Sequence, residues 1–394
     1  MKVSRVETIV IGAGFAGLSA AYHLAKSGHR DVLVIEQDKK LGGHSSGRNA
    51  GMIRQAIQDP VLARLAVEGR KSLGWETRRW KEVSYRPNGS LLLAKGRGIK
   101  ELKETAATLK AIGLGHRWYS KKEACDFVSA LKQGDFEEAL FCPTDAFVEI
   151  QGLLQGFLKA LRRYKIEVLC GYRFKRIQKK EDGFLVEAGQ KKFFAKRVVN
   201  AAGAWAGLVG EKAGAAAVPL AAYRRHLYES RSFKKTAKAW PFVWDLSHHF
   251  YFRPVKQGLL LSPCDKTPCK MSSQTTDDRR HLPGRQAGTT KIAGEKIDPR
   301  MKGILLKKLK KFSKNFSTID IDHGKAGLRT MAPDGRFVIG EDPKLKKFYW
   351  VAGLGGHGVT TSFSVGNFIT NLILGRKVNR RIQKAMSPSR FLRR

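Results

Sequence analysis

Gly12-Ala13-Gly14-Phe15-Ala16-Gly17 form a G-x-G-x-x-G, and Glu36 and Gln37 close an apolar run that follows it. Each part suits a pyrophosphate-linked dinucleotide. The first glycine permits a tight turn, the second lets backbone approach the pyrophosphate, and the third allows a helix to sit close on a strand. The N-terminus of that helix favours the anion, and Glu36 can accept hydrogen bonds from a ribose diol. A second glycine-rich stretch, Gly353-Leu354-Gly355-Gly356-His357-Gly358-Val359-Thr360, runs into an apolar segment from Thr361 to Leu374. Its N–H groups and the following helix N-terminus would present positive potential to a developing negative charge; the alternative is a glycine-rich cap on a core helix.

These residues need a scaffold that brings distant glycine turns together. Thr8–Ile11 reads as a buried strand, Leu18–Lys26 as a helix and Val32–Ile35 as a second strand, which is a βαβ unit. Strand-to-small-residue transitions recur at 197–205, with Ala202, Gly203 and Trp205 beyond the strand, and at 348–353. One parallel sheet assembled from three parts of the chain is expected. Alternating apolar stretches at Ser90–Ala94, His249–Pro254 and Gly258–Ser262 read as antiparallel strands of a second, inserted domain. Pro263–Gly294 reads as a loop, and the Arg-rich tail from Arg376 as loosely ordered.

At 394 residues the chain is long enough for two domains. The 74 Lys and Arg against 34 Asp and Glu give a formal charge of +40. The basic residues are scattered singly or in pairs, so a generally basic surface is expected rather than a nucleic-acid partner. Their densest run, Met301–Phe316, places Leu305, Leu306, Leu309, Phe312 and Phe316 at helical spacing among lysines. That amphipathic helix is expected to pack on its own domain, with a peripheral contact at the inner face of the membrane as the alternative. The five cysteines contain no C-x-x-C, which argues against a zinc site, and no metal is expected. Reduced thiols, no removable leader and no apolar span of membrane length together predict a cytoplasmic protein.

Gly42-Gly43-His44-Ser45-Ser46-Gly47-Arg48-Asn49-Ala50-Gly51-Met52-Ile53, Gly327-Leu328-Arg329-Thr330-Met331-Ala332-Pro333-Asp334-Gly335 and the 353–360 loop occur in this order. Together with the first glycine motif they resemble the D-amino-acid oxidase, glycine oxidase and sarcosine oxidase superfamily, and look closest to bacterial D-arginine dehydrogenases. The resemblance implies an α/β fold: a Rossmann-like FAD-binding domain of the GR2 type with an inserted α+β substrate domain carrying a mainly antiparallel sheet. Residues 1–85, 145–220 and 325–394 are expected to form the first, and 86–144 and 221–324 the second.

The resemblance also implies FAD as cofactor. Gly327 stands where the covalent members carry a cysteine, so the flavin is expected to be held non-covalently. Ser45, Ser46, Arg48, Asn49 and Ala50 would line its phosphate and flavin side, Phe174 would lie near the adenine, and Gly355 to Thr360 would approach the pyrimidine edge. Arg329 is the leading candidate to grip a substrate carboxylate, since its planar fork binds carboxylate bidentately. Tyr251 and Arg225 would assist, with Arg224 as the alternative to Arg225. His44 would orient the substrate amine or take its proton, or else hydrogen-bond the cofactor.

The implied substrate is a small D-amino acid, with glycine or sarcosine, a 2-hydroxy acid or a modified tRNA base as alternatives, and the electron acceptor a quinone or O₂. An acidic reader of a cationic substrate is open among Glu68, Glu76 and Glu82.

Overall fold

A computed structural model describes residues 3–233, 237–271 and 296–392. Val3–Ile11 forms the central strand of the first sheet because Ile9, Val10 and Ile11 are apolar, β-branched and buried on both faces. It pairs in parallel with Val32–Glu36 on one side and Lys191–Asn200 on the other. Lys191–Asn200 then pairs in parallel with Phe348–Ala352, and Val32–Glu36 with Glu167–Cys170. The three expected strand-to-glycine turns therefore do lie side by side in one sheet. The helix Phe15–Lys26 packs against Ser362–Ile373, and the approach is close: a Cβ on Gly366 would lie 2.2 Å from Ser19 Oγ.

A second sheet of nine strands draws on 90–142, 221–269 and 323–331, and its pairings are antiparallel except between Ser90–Ala94 and Phe242–Asp245. The fold class expected from the resemblance is thus the one found. Alternate residues of this sheet, among them Leu91, Leu93, Phe250, Phe252 and Leu261, form its outer core. The helix Arg300–Phe312 covers that core, with Leu305, Leu309, Phe312 and Phe316 almost fully buried in it. The apolar stripe of the basic segment is therefore mostly spent on packing within the chain. Among the described residues no helix is long and apolar enough to cross a membrane. A small three-stranded sheet, Met52–Ile53, Ala146–Val148 and Tyr85–Arg86, sits where the chain crosses between the two larger sheets.

Two expectations need correction. Within the segment read as a loop, Thr267–Cys269 is a strand paired with Ala222–Arg224; it lies at the sheet edge, where Pro268 costs no ladder hydrogen bond. Residues 272–294 of that segment lie outside the described residues. The Arg-rich tail is ordered through Leu392. Asn379 caps the helix Arg380–Met386 through Arg381 N–H and Ile382 N–H, and Ile382 and Met386, one turn apart, are buried in the first core.

Candidate active site

The glycine motif lines a cavity of about 520 Å³ at the C-terminal ends of the parallel strands. Gly12 has φ +103, and a Cβ there would lie 2.5 Å from Ala201 O; a Cβ on Gly14 would lie 2.9 Å from Ser46 Oγ. The backbone cradle exists because side chains are missing from it. Gly17 serves packing, since its Cβ would sit 1.9 Å from Gly12 O. Phe15 and Ala16 belong to the first turn of the helix, where Phe15 N–H donates to Ser46 Oγ at 3.1 Å.

Glu36 lies in the cavity wall and accepts from Ala13 N–H at 2.8 Å and Asp38 N–H at 3.1 Å. Burial pushes its carboxyl above the usual range against the pull of those bonds. Gln37, Ser45, Phe174, Ala202, Gly203 and Trp205 share the wall. His44 does too: its Nε2 lies 3.0 Å from Gln37 Nε2 and 3.1 Å from Asp38 Oδ2, with its ring 4.5 Å from that of Trp205. Among the described residues, Trp205 Nε1 is buried without a hydrogen-bond partner. A cavity with a bare backbone cradle and an indole donor unpaired among the described residues fits a dinucleotide. Sequence reasoning missed Tyr172, Arg173 and Lys175, which flank Phe174 here; Gly171, with φ +82, just before them was the available signal.

Three residues expected on the flavin side hold the scaffold and do not line this cavity. Arg48 donates to Gly43 O at 2.7 Å and to Ala326 O at 3.0 Å, and Asn49 Oδ1 accepts from Gly51 N–H at 2.8 Å. Ala50 packs with Leu227, Tyr251 and Leu260. Gly355, Gly356, His357, Gly358, Val359 and Thr360 also lie outside it; Gly355 N–H donates to Thr330 O of the second sheet, while Val359 is buried in the first core. A Cβ on Gly356 would lie 3.0 Å from Arg329 Nη1, and Thr360 Oγ1 accepts from Arg54 N–H at 3.0 Å.

Strand register explains why the anion-binding candidates converge. Directly opposed residues of antiparallel strands share a sheet face. Arg225 faces Gly327 and Tyr223 faces Arg329, so Arg225 and Arg329 are on one face while Arg224 is on the other. The same alternation continues through Glu229 opposite Leu260, Tyr251 opposite Ser262, and Trp244 opposite Tyr251. One face therefore displays Arg329, Arg225, Tyr251 and Trp244.

Among the described residues, Arg225 Nε and Nη1 and the Tyr251 hydroxyl are buried without hydrogen-bond partners. Burial, reinforced by Arg225, holds Arg329 down to about 10, and burial raises Tyr251 against the pull of both arginines. Cys264, also missed, lies beside the two arginines, and burial raises its thiol despite them. His357 is pushed down to about 3 by burial, then by Arg54 and Arg329, so it stays neutral at ordinary pH.

Two of the three candidate acids are engaged elsewhere. Glu76 pairs with Lys26 at 2.6 Å, Glu82 pairs with Lys159, and the charges around Glu68 are Arg64 and Lys71. Among the described residues no cluster of His, Cys, Asp and Glu is arranged to hold a metal ion.

The family model for DAO, FAD dependent oxidoreductase, matches residues 7–372. The chain belongs to this DAO family. Its cofactor is FAD, which the cavity described above fits. Among its relatives, rat (Rattus norvegicus) mitochondrial dimethylglycine dehydrogenase is 25% identical over 94% of this chain and 43% of its own length. The chain thus spans under half of that relative. Glycine oxidase of Bacillus subtilis is 24% identical over 95% of this chain and 94% of its own. Among solved structures, L-proline dehydrogenase from P. horikoshii superposes with TM-score 0.83 at 21% identity, covering 99% of this chain and 98% of that one. Glycine oxidase from Geobacillus kaustophilus superposes with TM-score 0.83 at 18% identity, covering 99% and 100%.

Proposed function

We propose that this DAO-family chain oxidises the CH–NH bond of a small amino acid to the imino acid, with a quinone or O₂ as final electron acceptor. The observation that carries this reading is the shared face of Arg225, Tyr251 and Arg329, where buried donors have no partner among the described residues. A substrate carboxylate would take those donors, accepting from the Tyr251 hydroxyl and the two guanidiniums. Held there, its Cα–H is oriented rather than free to tumble. FAD supplies the two-electron acceptor.

The residues arrange the proton as well. Hydride leaves readily only from a neutral amine, and the positive field of the arginines disfavours an ammonium beside them. His357, uncharged here, is the imidazole available to accept from the amine N–H. His44 is assigned to the cofactor, in keeping with its place beside Gln37, Asp38 and Trp205. An arginine-rich face favours anionic over cationic substrates, so D-arginine is disfavoured. Relatives named for glycine and dimethylglycine oxidation support a simple amine beside a carboxylate.

The test is anaerobic flavin spectroscopy with D-alanine, glycine, sarcosine, D-arginine and 2-hydroxyglutarate. Bleaching by an amino acid is expected, and peroxide formed on readmitting air separates O₂ from a quinone as acceptor. Bleaching by the hydroxy acid alone would replace the amine reading with a hydroxy-acid one.

A further inference from the structure

Arg54 follows the strand Met52–Ile53 directly and has no role in the reading so far. Its backbone is anchored on Thr360, and its guanidinium stacks over the Trp244 indole, 4.3 Å from the ring centroid. That indole is 4.9 Å from the Tyr251 ring, on the face that also carries Arg225 and Arg329. Stacking on an aromatic fixes a guanidinium plane while leaving its N–H edge available.

The charges around these arginines do not balance. None of Arg54, Arg225 and Arg329 forms an ion pair with a carboxylate among the described residues. Asp145 and Glu101 are the acids within electrostatic reach of Arg54. Glu101 is exposed on the first turn of the helix Gly98–Ala111, where water screens it. Asp145 is fully buried, but its oxygens are taken by Gln55 N–H at 2.8 Å, Gln55 Nε2 at 2.9 Å and Ser90 Oγ at 2.6 Å.

All three arginines are partly buried, and cations withdrawn from water are costly unless paired. Asp265 lies within electrostatic reach of Arg225, and Lys308, a further cation near both, offsets it. Even crediting Asp145 with neutralising one arginine, two positive charges face the site among the described residues, and a single substrate carboxylate answers one of them. A cationic group that merely packed on Trp244 would leave the other unanswered.

We propose that the substrate carries two carboxylates, the one beside the amine held by Arg329, Arg225 and Tyr251 and the second gripped by Arg54 against Trp244. This inference rests on the amino-acid reading above and narrows it to dicarboxylic amines. The stacked fork suits a planar carboxylate because both present two parallel bonding directions.

The test has a binding arm and a turnover arm, both on the flavin-loaded protein. In the first, acetate, malonate, succinate and glutarate are titrated while the oxidised-flavin spectrum is followed. At least one dicarboxylate is expected to bind about tenfold or more tighter than acetate, with Arg54→Gln collapsing that ratio to near one and Arg54→Lys restoring it in part. In the second, anaerobic flavin reduction compares D-alanine with D-aspartate and D-glutamate, and sarcosine with iminodiacetate. Lower half-saturation for the dianion of a pair is expected, again lost in Arg54→Gln.

Equal affinity for acetate and every dicarboxylate would overturn the proposal. So would an Arg54→Gln variant that weakens mono- and dianions by the same factor, which would make Arg54 a partner of the cofactor or the fold. If no amine reduces the flavin, the amino-acid reading falls, while the binding arm still decides whether the face holds two anions. Reduction by monoanions with no preference would sink only the dicarboxylate proposal.

Discussion

Removing one oxygen atom, with Tyr251→Phe, separates a binding tyrosine from a core tyrosine. The ring is fully buried among Ala50, Leu227 and Leu260 and beside Trp244, and phenylalanine preserves all of that packing. Among the described residues the hydroxyl is buried without a partner of good geometry, since Ser262 Oγ on the opposite strand donates to His226 O, and such a state costs about 1–3 kcal/mol. The substrate-free variant should therefore be more stable, by about 1 kcal/mol or more, a rise in melting temperature of roughly 1–2 °C for a chain of this length. A hydrogen bond to a charged carboxylate is worth about 1.5–3 kcal/mol, so affinity should fall roughly 10- to 150-fold. Calorimetry of the flavin-loaded protein without ligand reads the first quantity, and carboxylate titration of the flavin spectrum reads the second. A variant that melts several degrees lower and binds carboxylates as tightly as the parent would refute the reasoning, because the hydroxyl would then hold the core together and not the ligand.

Gly356→Ala places a methyl group 3.0 Å from Arg329 Nη1, so the guanidinium must shift by a few tenths of an ångström. Half-saturation by substrate should rise about tenfold with flavin content unchanged, and unchanged half-saturation would show that the loop yields instead. Gly327 carries no thiol, so acid precipitation should release all of the flavin to the supernatant; colour retained in the pellet would reveal a covalent bond to another residue. His23, whose Nδ1 lies 2.9 Å from Ser19 O, is lowered from 6.5 to about 4 by burial. The unfolded chain then takes up the proton first as pH falls, so stability is complete above about 6.5 and declines towards pH 4, by about 3 kcal/mol in all. Denaturant unfolding of His23→Asn at pH 8 and pH 4.5 should show a smaller loss than the parent, and parallel losses would contradict it.

What could be read from the sequence follows the range of the interactions involved. The glycine motif was legible because its geometry is local: φ at Gly12 and the close approach at Gly17 depend on residues a few positions away or on an adjacent strand. The choice between Arg224 and Arg225 was not, because neighbours along a strand differ only in the face they present. That choice is made by pairing with the strand His323–Met331. Arg54 escaped notice because it lies one residue beyond the motif and gains its place from Trp244, far along the chain. The tail was misread because six basic residues, five from Arg376 to Lys384 and then Arg390, dominate its composition, whereas two apolar residues, Ile382 and Met386, decide its order. A basic sequence says little about where its cations point.

Where they point bears on the amine chemistry. An amino acid in neutral water carries an ammonium, from which hydride does not leave. One route to the reactive form is a general base, the part offered to His44 on sequence grounds. Among its neighbours in the fold are Gln37, Asp38 and Trp205 at the dinucleotide cavity, with an acid 3.1 Å from its Nε2. The other route is electrostatic: Arg54, Arg225 and Arg329 make the ammonium the disfavoured form in their field, so the proton can be lost to water on binding. Burial and two of those same arginines keep His357 neutral, so the nearby imidazole adds no further positive charge. The groups proposed to grip the carboxylates would then also prepare the amine, and substituting any one arginine should move the acidic limb of the flavin-reduction profile to higher pH. A base-dependent mechanism predicts instead that the limb follows the histidine and ignores the arginines.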